Sequence, residues 1–187
     1  STPKPSSAAS DVYKRQIYMS VTMNHTGVVV TDIEKALQFY CEGIGLELRF
    51  QVEAGGAELS QLLGYDDVRV KAAFIGGIDG HSVEIIEYLA PKTEVRDASE
   101  QHKRNATGAA HISFNVTDMD AIIERVVPLG AVLNNPPVAL MDGYRSVYLQ
   151  DPWGNWIELD EDAVHNEQQF TIHQRTSVNP SPGDVRL

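Results

Sequence analysis

One pattern occurs twice in this chain: His25-Thr-Gly-Val-Val-Val30-Thr-Asp-Ile33 and, 86 positions later, His111-Ile-Ser-Phe-Asn-Val116-Thr-Asp-Met119. Each copy opens on a histidine, continues as a strand and ends in Val-Thr-Asp, which is typical of a strand-to-helix junction. A helical pattern and a closing glycine, Gly45 or Gly130, follow each copy. The repeat predicts two copies of one structural unit, with an imidazole at the same strand position in each.

The hydrophobic pattern predicts a β-α-β-β-β order in each unit. Strand 28–30 leads into a helix that opens on the capping box Thr31 to Glu34, and strands follow at 46–50, 68–75 and 82–89. In the second unit Thr117 begins the helix, and strands follow at 131–134, 144–150 and 155–160. The residues expected to face the core are Ile33, Ala36, Leu37 and Tyr40 in the first helix and Ile122, Ile123, Val126 and Val127 in the second.

These patterns divide the chain into five segments. Module 1 spans 23–90 and module 2 spans 109–160, with a polar linker, 91–108, between them. Segment 1–22 lacks an apolar core and is expected to be disordered, and 161–187 is expected to form a C-terminal tail. The run Asp11 to Gln16 resembles read-through of a sequencing adaptor, which leaves open that segment 1–22 is non-native.

The composition of the chain disfavours several classes of binding partner. The chain has 15 Lys and Arg against 26 Asp and Glu, and this net charge of −11 disfavours nucleic acids and anionic membrane surfaces. No apolar run reaches the about 20 residues of a membrane span. Cys41 is the single cysteine, so no internal disulfide forms. We therefore expect a cytoplasmic protein that acts on a small molecule, and assign no role to Cys41.

The last strand of each module supplies a carboxylate, Glu84 in the first and Glu158 in the second. Each glutamate lies between two apolar residues, so strand alternation points its side chain away from the apolar face. A carboxylate buried inside a curved sheet needs a cation. We therefore predict one divalent metal ion bound by His25, Glu84, His111 and Glu158. This donor set suits Zn²⁺, Ni²⁺, Co²⁺, Mn²⁺ or Fe²⁺, and the sequence leaves the choice open.

Glu87 is the alternative to Glu84, because it lies on the opposite face of the same strand and a register error would exchange the two. We favour Glu84, since Val83-Glu84-Ile85 matches Ile157-Glu158-Leu159. The four other histidines are interpreted as solvated: His81, His102, His165 and His173.

The run Tyr148-Leu-Gln-Asp151-Pro-Trp-Gly154-Asn-Trp-Ile-Glu158-Leu resembles the Asp-Pro-x-Gly turn and last metal-bearing strand of the vicinal oxygen chelate superfamily. Glyoxalase I, methylmalonyl-CoA epimerase, extradiol dioxygenases and bleomycin-resistance proteins belong to it. The resemblance covers 23–160. It implies an α+β fold in which two βαβββ modules form a curled mixed sheet around a metal-binding cup, often in a homodimer.

The preferred functional hypothesis is a glyoxalase-like or epimerase-like enzyme. It would be a divalent-metal-dependent isomerase, epimerase or lyase, like lactoylglutathione lyase, that acts on a small oxygen-chelating carbonyl substrate through an enediolate or enolate. Glu84 and Glu158 would remove and return the proton. Residues expected to border the cup, and to bind an acidic substrate tail or remain solvated, are Arg49, Arg104, Asn105, Tyr144 and Arg145.

Two other functions remain open. An Fe(II) extradiol ring-cleaving dioxygenase would use His25, His111 and Glu158 as its metal ligands and Tyr148 as an active-site residue. A non-catalytic protein would sequester a drug or metabolite in the same cup. A carboxylate at position 84 disfavours the dioxygenase, because that enzyme needs open metal positions for its substrate and O₂.

Overall fold

The computed structural model describes residues 23–77, 80–95, 103–141 and 143–162. The predictions for segment 1–22, and those for the tail beyond residue 162, lie outside the described residues. His102, His165 and His173 lie outside them too. No helix in the described part of the chain is long and apolar enough to cross a membrane.

Module 1 forms a four-stranded mixed sheet with the order β1-β4-β3-β2. Strand β1 pairs with β4 in parallel, and the other pairs are antiparallel. Its elements are β1 (His25–Val30), α1 (Ile33–Leu37), a π-helical segment (Gln38–Ile44), β2 (Glu47–Gly55), α2 (Ala57–Leu63), β3 (Arg69–Gly76) and β4 (Ser82–Ala90).

Module 2 repeats this arrangement in a five-stranded sheet with the order β5-β9-β8-β6, in which β7 also pairs with β8. Strand β5 is parallel to β9, as β1 is to β4. The elements are β5 (His111–Val116), α3 (Met119–Val126), β6 (Val132–Leu133), β7 (Val138–Met141), β8 (Tyr144–Gln150) and β9 (Trp156–Asp162). Two mixed sheets with few helices confirm the predicted α+β fold class.

Both modules contribute to one hydrophobic core. Helix α1, the π-helical segment and α3 pack against one another and against one face of each sheet. The fully buried side chains there include Ile33, Phe39, Tyr40, Ile85, Met119, Val126 and Leu159. We call the other face of each sheet, which points away from this core, its open face. Alternation along the strands places Glu84 and Glu158 on the open faces.

The helix starts differ from the predicted capping boxes by one residue. Asp32, not Thr31, is the N-cap of α1, and its carboxylate accepts a hydrogen bond from the Lys35 amide. Asp118 has the same role in α3, where it accepts from the Ala121 amide. The Thr31 hydroxyl instead accepts from the indole of Trp153 at 2.8 Å. Aspartate suits this position because a carboxylate also interacts favourably with the helix dipole.

Three further predictions were incomplete. No helix was predicted between the strands at 46–50 and 68–75, where α2 lies, and β7 was not predicted at all. Val127 was expected to face the core but is 46% exposed, because α3 ends at Val126 and the chain turns there. Ile122 and Val126 are buried as predicted.

A buried hydrogen bond ties the modules together. The hydroxyl of Tyr40, in the π-helical segment, donates to Asp151 Oδ2 at 2.8 Å. The other oxygen of Asp151 accepts from the amides of Trp153 and Asn155, which fixes the turn before β9. Nearby, the Asn155 side chain donates to the Val29 carbonyl at 3.3 Å. The turn that sets Glu158 in register is thus held by module 1.

Candidate functional site

His25 and Glu84 form a pair on the open face of module 1. In the parallel β1–β4 register Gly27 lies opposite Glu84, so the side chain two residues before Gly27 is on the same face. His25 Nε2 is 3.0 Å from Glu84 Oε2. The imidazole stands edge-on to the Phe74 ring, with centroids 5.5 Å apart.

His111 and Glu158 form the matching pair in module 2, where Ser113 lies opposite Glu158. His111 Nε2 is 3.2 Å from Glu158 Oε2. The imidazole again stands edge-on to an aromatic ring, that of Tyr148, with centroids 5.3 Å apart. The two histidine side chains are 37% and 46% exposed, so a ligand can reach both pairs.

The carboxylate of Glu158 is held more firmly than that of Glu84. The Ser146 hydroxyl donates to Glu158 Oε1 at 3.2 Å. Burial, followed by the hydrogen bond to Glu158, raises the pKa of Tyr148 to about 12. Tyr148 is therefore protonated at neutral pH and donates to Glu158. In module 1 the equivalent ring is Phe74, which has no hydroxyl to donate.

Glu87 has a structural role. Its Oε2 accepts a hydrogen bond from the Ile33 amide at 3.0 Å, at the start of α1. Glu161 is its equivalent in module 2 and accepts from the Met119 amide at 2.9 Å, at the start of α3. Both carboxylates lie on the helix side of their strands, where they satisfy amides that have no partner within the helix. Glu84 is therefore the carboxylate on the open face.

A neighbouring side chain orients His25. Asn24 Oδ1 is 2.7 Å from His25 Nδ1, so a ring protonated at Nδ1 donates to Asn24. Nε2 is the nitrogen that faces Glu84, and it is the one that would bind a metal ion. Such outer contacts are typical of histidines that bind metals. Residue 110, which precedes His111, is alanine and offers no such acceptor.

The donor chemistry fits a divalent cation, although the four donors do not meet within one chain. Two imidazole nitrogens and two carboxylates are a common ligand set for such ions. Asp160 Oδ1, on the same face of β9 as Glu158, is buried and has no hydrogen-bond partner in the described part of the chain. Among the residues described, however, no three His, Cys, Asp or Glu side chains lie close enough to hold one ion. The open faces both point away from the shared core, which keeps the two pairs apart.

The remaining sequence candidates have other surroundings. The Arg49 guanidinium donates to the carbonyls of Gly77 and Gly80 and to the Ser82 hydroxyl, so it braces the β3–β4 connection. Arg145 is paired with Glu161 and Asp120. His81 contacts the Thr26 hydroxyl at 3.1 Å. Burial raises the pKa of Cys41, which disfavours a reactive thiolate.

An open cavity of about 930 Å³ lies beside α2, away from both His–Glu pairs. Its lining includes Ala57, Ser60, Gln61 and the run from Gly64 to Arg69, and none of these residues is a predicted ligand. No sequence signal pointed to this cavity, because it depends on how α2 folds back over β2. We assign the candidate site to the His–Glu pairs, where the titratable groups are.

The chain is similar to known proteins over this region. Residues 22–159 match the model of the Glyoxalase/Bleomycin resistance protein/Dioxygenase superfamily. A 2-epi-5-epi-valiolone epimerase from Actinomyces is 32% identical over 159 residues, which cover 78% of this chain and 81% of that protein. A lactoylglutathione lyase from Pseudomonas aeruginosa is 25% identical over 169 residues, covering 81% and 88%.

The structural comparison agrees. A glyoxalase family protein from Bacillus cereus superposes with a TM-score of 0.70 at 26% identity, covering 79% of this chain and 97% of that one. The family match spans most of the chain and both modules. This protein is a member of the Glyoxalase/Bleomycin resistance protein/Dioxygenase superfamily, whose members similar to it include an epimerase and a lyase.

Proposed function

We propose that this protein is a divalent-metal-dependent epimerase or isomerase that moves a proton beside the carbonyl of a small oxygen-chelating substrate. The observation that carries the proposal is the pair of matching His–Glu contacts at equivalent registers, His25 with Glu84 and His111 with Glu158. A related epimerase and a related lyase support the same reaction class.

The metal would be held by these four side chains, with His25 oriented by Asn24. When bound, a divalent cation would act as a Lewis acid toward the substrate oxygens and so favour loss of a neighbouring proton. The chain's own contribution is two carboxylates of unequal freedom. Ser146 and Tyr148 hold Glu158 in place. Glu84 contacts His25, and its carboxylate is not held by a serine and a tyrosine as that of Glu158 is. It therefore has more freedom than Glu158 to take or return a proton.

We further propose that one centre is completed by two copies of the chain. Within one chain the open faces point away from the shared core, and no three donors converge among the described residues. If module 1 of one copy meets module 2 of the other, each of two centres receives one His25–Glu84 pair and one His111–Glu158 pair. A homodimer then contains two complete sites.

Proton transfer to and from the substrate tests the proposed reaction. We expect Glu84→Gln and Glu158→Gln each to lower turnover at least about 100-fold, since a general acid or base contributes about 10²–10⁴. The assay follows incorporation of solvent deuterium into 2-epi-5-epi-valiolone and into the hemithioacetal of methylglyoxal with glutathione. Glu87→Gln is the matched control and should retain turnover. Unchanged turnover in both site variants, with both substrates consumed by wild type, would contradict the mechanism.

Mixing two inactive variants tests the shared site. A heterodimer of Glu84→Gln with Glu158→Gln has one centre with both changes and one with neither. We expect unfolding and refolding of the mixture to restore about a quarter of wild-type activity, because half of the dimers are mixed and each has one intact centre. If each centre is instead built within one chain, the mixture stays as inactive as its components.

Ring-cleaving oxygenation is the second candidate. It is favoured because the Tyr148 hydroxyl forms a hydrogen bond with Glu158 and the Tyr148 ring contacts His111. It predicts oxygen uptake with catechols by protein loaded anaerobically with Fe²⁺. It also predicts that Glu84→Gln retains this uptake while His25→Ala and Glu158→Gln lose it. Loss of proton transfer in Glu84→Gln separates the two functions.

A further inference from the structure

We propose that Arg104 is a specificity-determining residue that binds an anionic group of the substrate, a carboxylate or a phosphate. The proposal rests on the proposed function, since it locates the reaction at the His–Glu pairs. It adds the chemical class of the substrate, which the ligand residues alone do not define.

Arg104 lies against the candidate site. Its guanidinium carbon is 3.3 Å from the centre of the Tyr148 ring and 5.4 Å from that of the Trp156 ring. Tyr148 is the residue that contacts His111 and donates to Glu158. A guanidinium this close to the centre of a ring is held there by a cation–π contact, which leaves its N–H groups available to an approaching acceptor.

The donors of Arg104 are unused in the described part of the chain. No described residue accepts a hydrogen bond from its guanidinium or forms an ion pair with it. Each of the other described arginines, 49, 69, 125 and 145, donates to a carbonyl or a carboxylate. Arg104 is thus an exposed cation that has no partner among the described residues, in a chain with a net charge of −11. It suits an anion that arrives with a ligand.

The ring beside the histidine is covered differently in the two modules: Arg104 lies over it in module 2, whereas another aromatic ring lies over it in module 1. There the ring beside the histidine is Phe74, and the Phe50 ring stacks on it at 4.6 Å with an angle of 17°. One half of the repeat thus presents an aromatic pair beside its His–Glu contact, and the other half presents a guanidinium. A substrate that spans both halves would place its anionic group over module 2.

Two ligand series test this inference, each with the 2-hydroxycarbonyl group that the proposed centre requires. Dihydroxyacetone phosphate is compared with dihydroxyacetone, and 5-hydroxy-4-oxopentanoate with its amide. Dissociation constants are measured by calorimetry on full-length, metal-loaded protein, without reference to turnover. We expect wild type to bind the anionic member of at least one series about 10- to 100-fold more tightly, since hydrogen bonds to a charged group contribute this much. The series that shows the preference distinguishes phosphate from carboxylate.

Arg104→Met should abolish the preference, and Arg104→Lys should keep part of it, because lysine retains the charge but not the flat fork. Arg69→Met is the matched control: it removes the same charge from an exposed ion pair with Glu53 and should keep the full preference. An unchanged dissociation constant for the neutral ligands in Arg104→Met shows that the rest of the site is intact.

The proposal is overturned if wild type shows no preference in either series, or if Arg104→Met retains it. These results are independent of the reaction. A protein that prefers the anionic ligands but transfers no proton would refute the proposed function and leave the role of Arg104 standing. A protein that transfers a proton without the preference would refute the role of Arg104 alone.

Discussion

Two glutamates three residues apart on β4 point to opposite faces of the sheet and have different contacts. Glu84 faces His25 on the open face, whereas Glu87 accepts a hydrogen bond from the first amide of α1. Their equivalents on β9, Glu158 and Glu161, divide the same two roles. Because the division occurs twice at the same register, it belongs to the repeated unit itself.

Alanine substitutions at Glu87 and Glu84 should lower two different quantities, stability in the first case and metal affinity in the second. Glu87→Ala removes a helix-capping carboxylate and should lower the free energy of unfolding by about 0.5–2 kcal/mol, with metal affinity unchanged. Glu84→Ala should lower metal affinity by at least about tenfold, since it removes a proposed ligand, and should leave stability nearly unchanged. Urea unfolding and competition with a metal chelator measure the two quantities. An equal loss of metal affinity in both variants would contradict the assignment.

At this scale the sequence predicted the pairs but not all of their neighbours. Strand alternation and the repeated register are local properties, so His25, Glu84, His111 and Glu158 could be selected as candidates from the printed sequence. The capping role of Glu87 depends on where α1 begins relative to β4. The stacking of Arg104 on Tyr148 depends on the path of the linker, and no periodicity records that path.

The π-helical segment is the element that joins the modules most closely. Gly43 lies in it, where an added Cβ would be 2.9 Å from Val126 Cγ1 and 3.1 Å from Leu129 Cδ1. Val126 is fully buried, and its branched side chain has little freedom to move away. The main chain of the π-helical segment can approach α3 this closely only because residue 43 has no side chain.

Gly43→Ala should therefore destabilise the protein by about 1–3 kcal/mol through overpacking, although alanine is the better helix former. Gly27→Ala is the matched control, since a Cβ there would make ordinary contacts at 3.7 Å and beyond. Thermal unfolding compares the two variants. A gain in stability for Gly43→Ala would show that α3 adjusts to the added methyl group.

Elements that bury little were the ones that the sequence missed. Helix α2 has no buried residue, so no apolar stripe marks it. In β7, Val138 and Leu140 are exposed, and the alternation that identifies a half-buried strand is absent. The strands that line the core, such as β8, were predicted closely because burial on one face imposes the pattern of period two.

The two modules are held together by packing in one shared core. The repeat predicted two modules, but not that their helices would share one core and leave both open faces outside it. Packing between modules has no local signature, since Gly43 and Tyr40 read as ordinary helix residues. This arrangement is the reason that the predicted four-ligand centre is seen as two separate pairs in the described residues.

The buried contact between Tyr40 and Asp151 predicts a stability change at alkaline pH. Burial, then the charge and hydrogen bond of Asp151, raise the pKa of Tyr40 well above its usual value. Tyrosine in the unfolded chain ionises near pH 10, so the stabilising contribution is complete below about pH 10 and is lost at higher pH.

Tyr40→Phe should be less stable than wild type by about 1–2 kcal/mol at pH 8, because the hydrogen bond to a buried carboxylate is lost. The difference should shrink above about pH 10, where only wild type loses the contribution of Tyr40. Urea unfolding of both proteins between pH 8 and pH 11 measures it. A difference that stays constant across this range would show that Tyr40 does not ionise on unfolding.

The unequal coverings of the two halves have a stereochemical consequence. A twofold-symmetric site would accept a planar substrate in two orientations related by half a turn, and both faces of the plane would meet the same groups. If the two halves form one centre, as proposed, the Phe50–Phe74 pair on one side and the Arg104 guanidinium on the other make these orientations differ in energy, and one should predominate. The unequal halves thus fix which side of the substrate faces each proposed carboxylate, so Glu84 and Glu158 should not be interchangeable as acid and base.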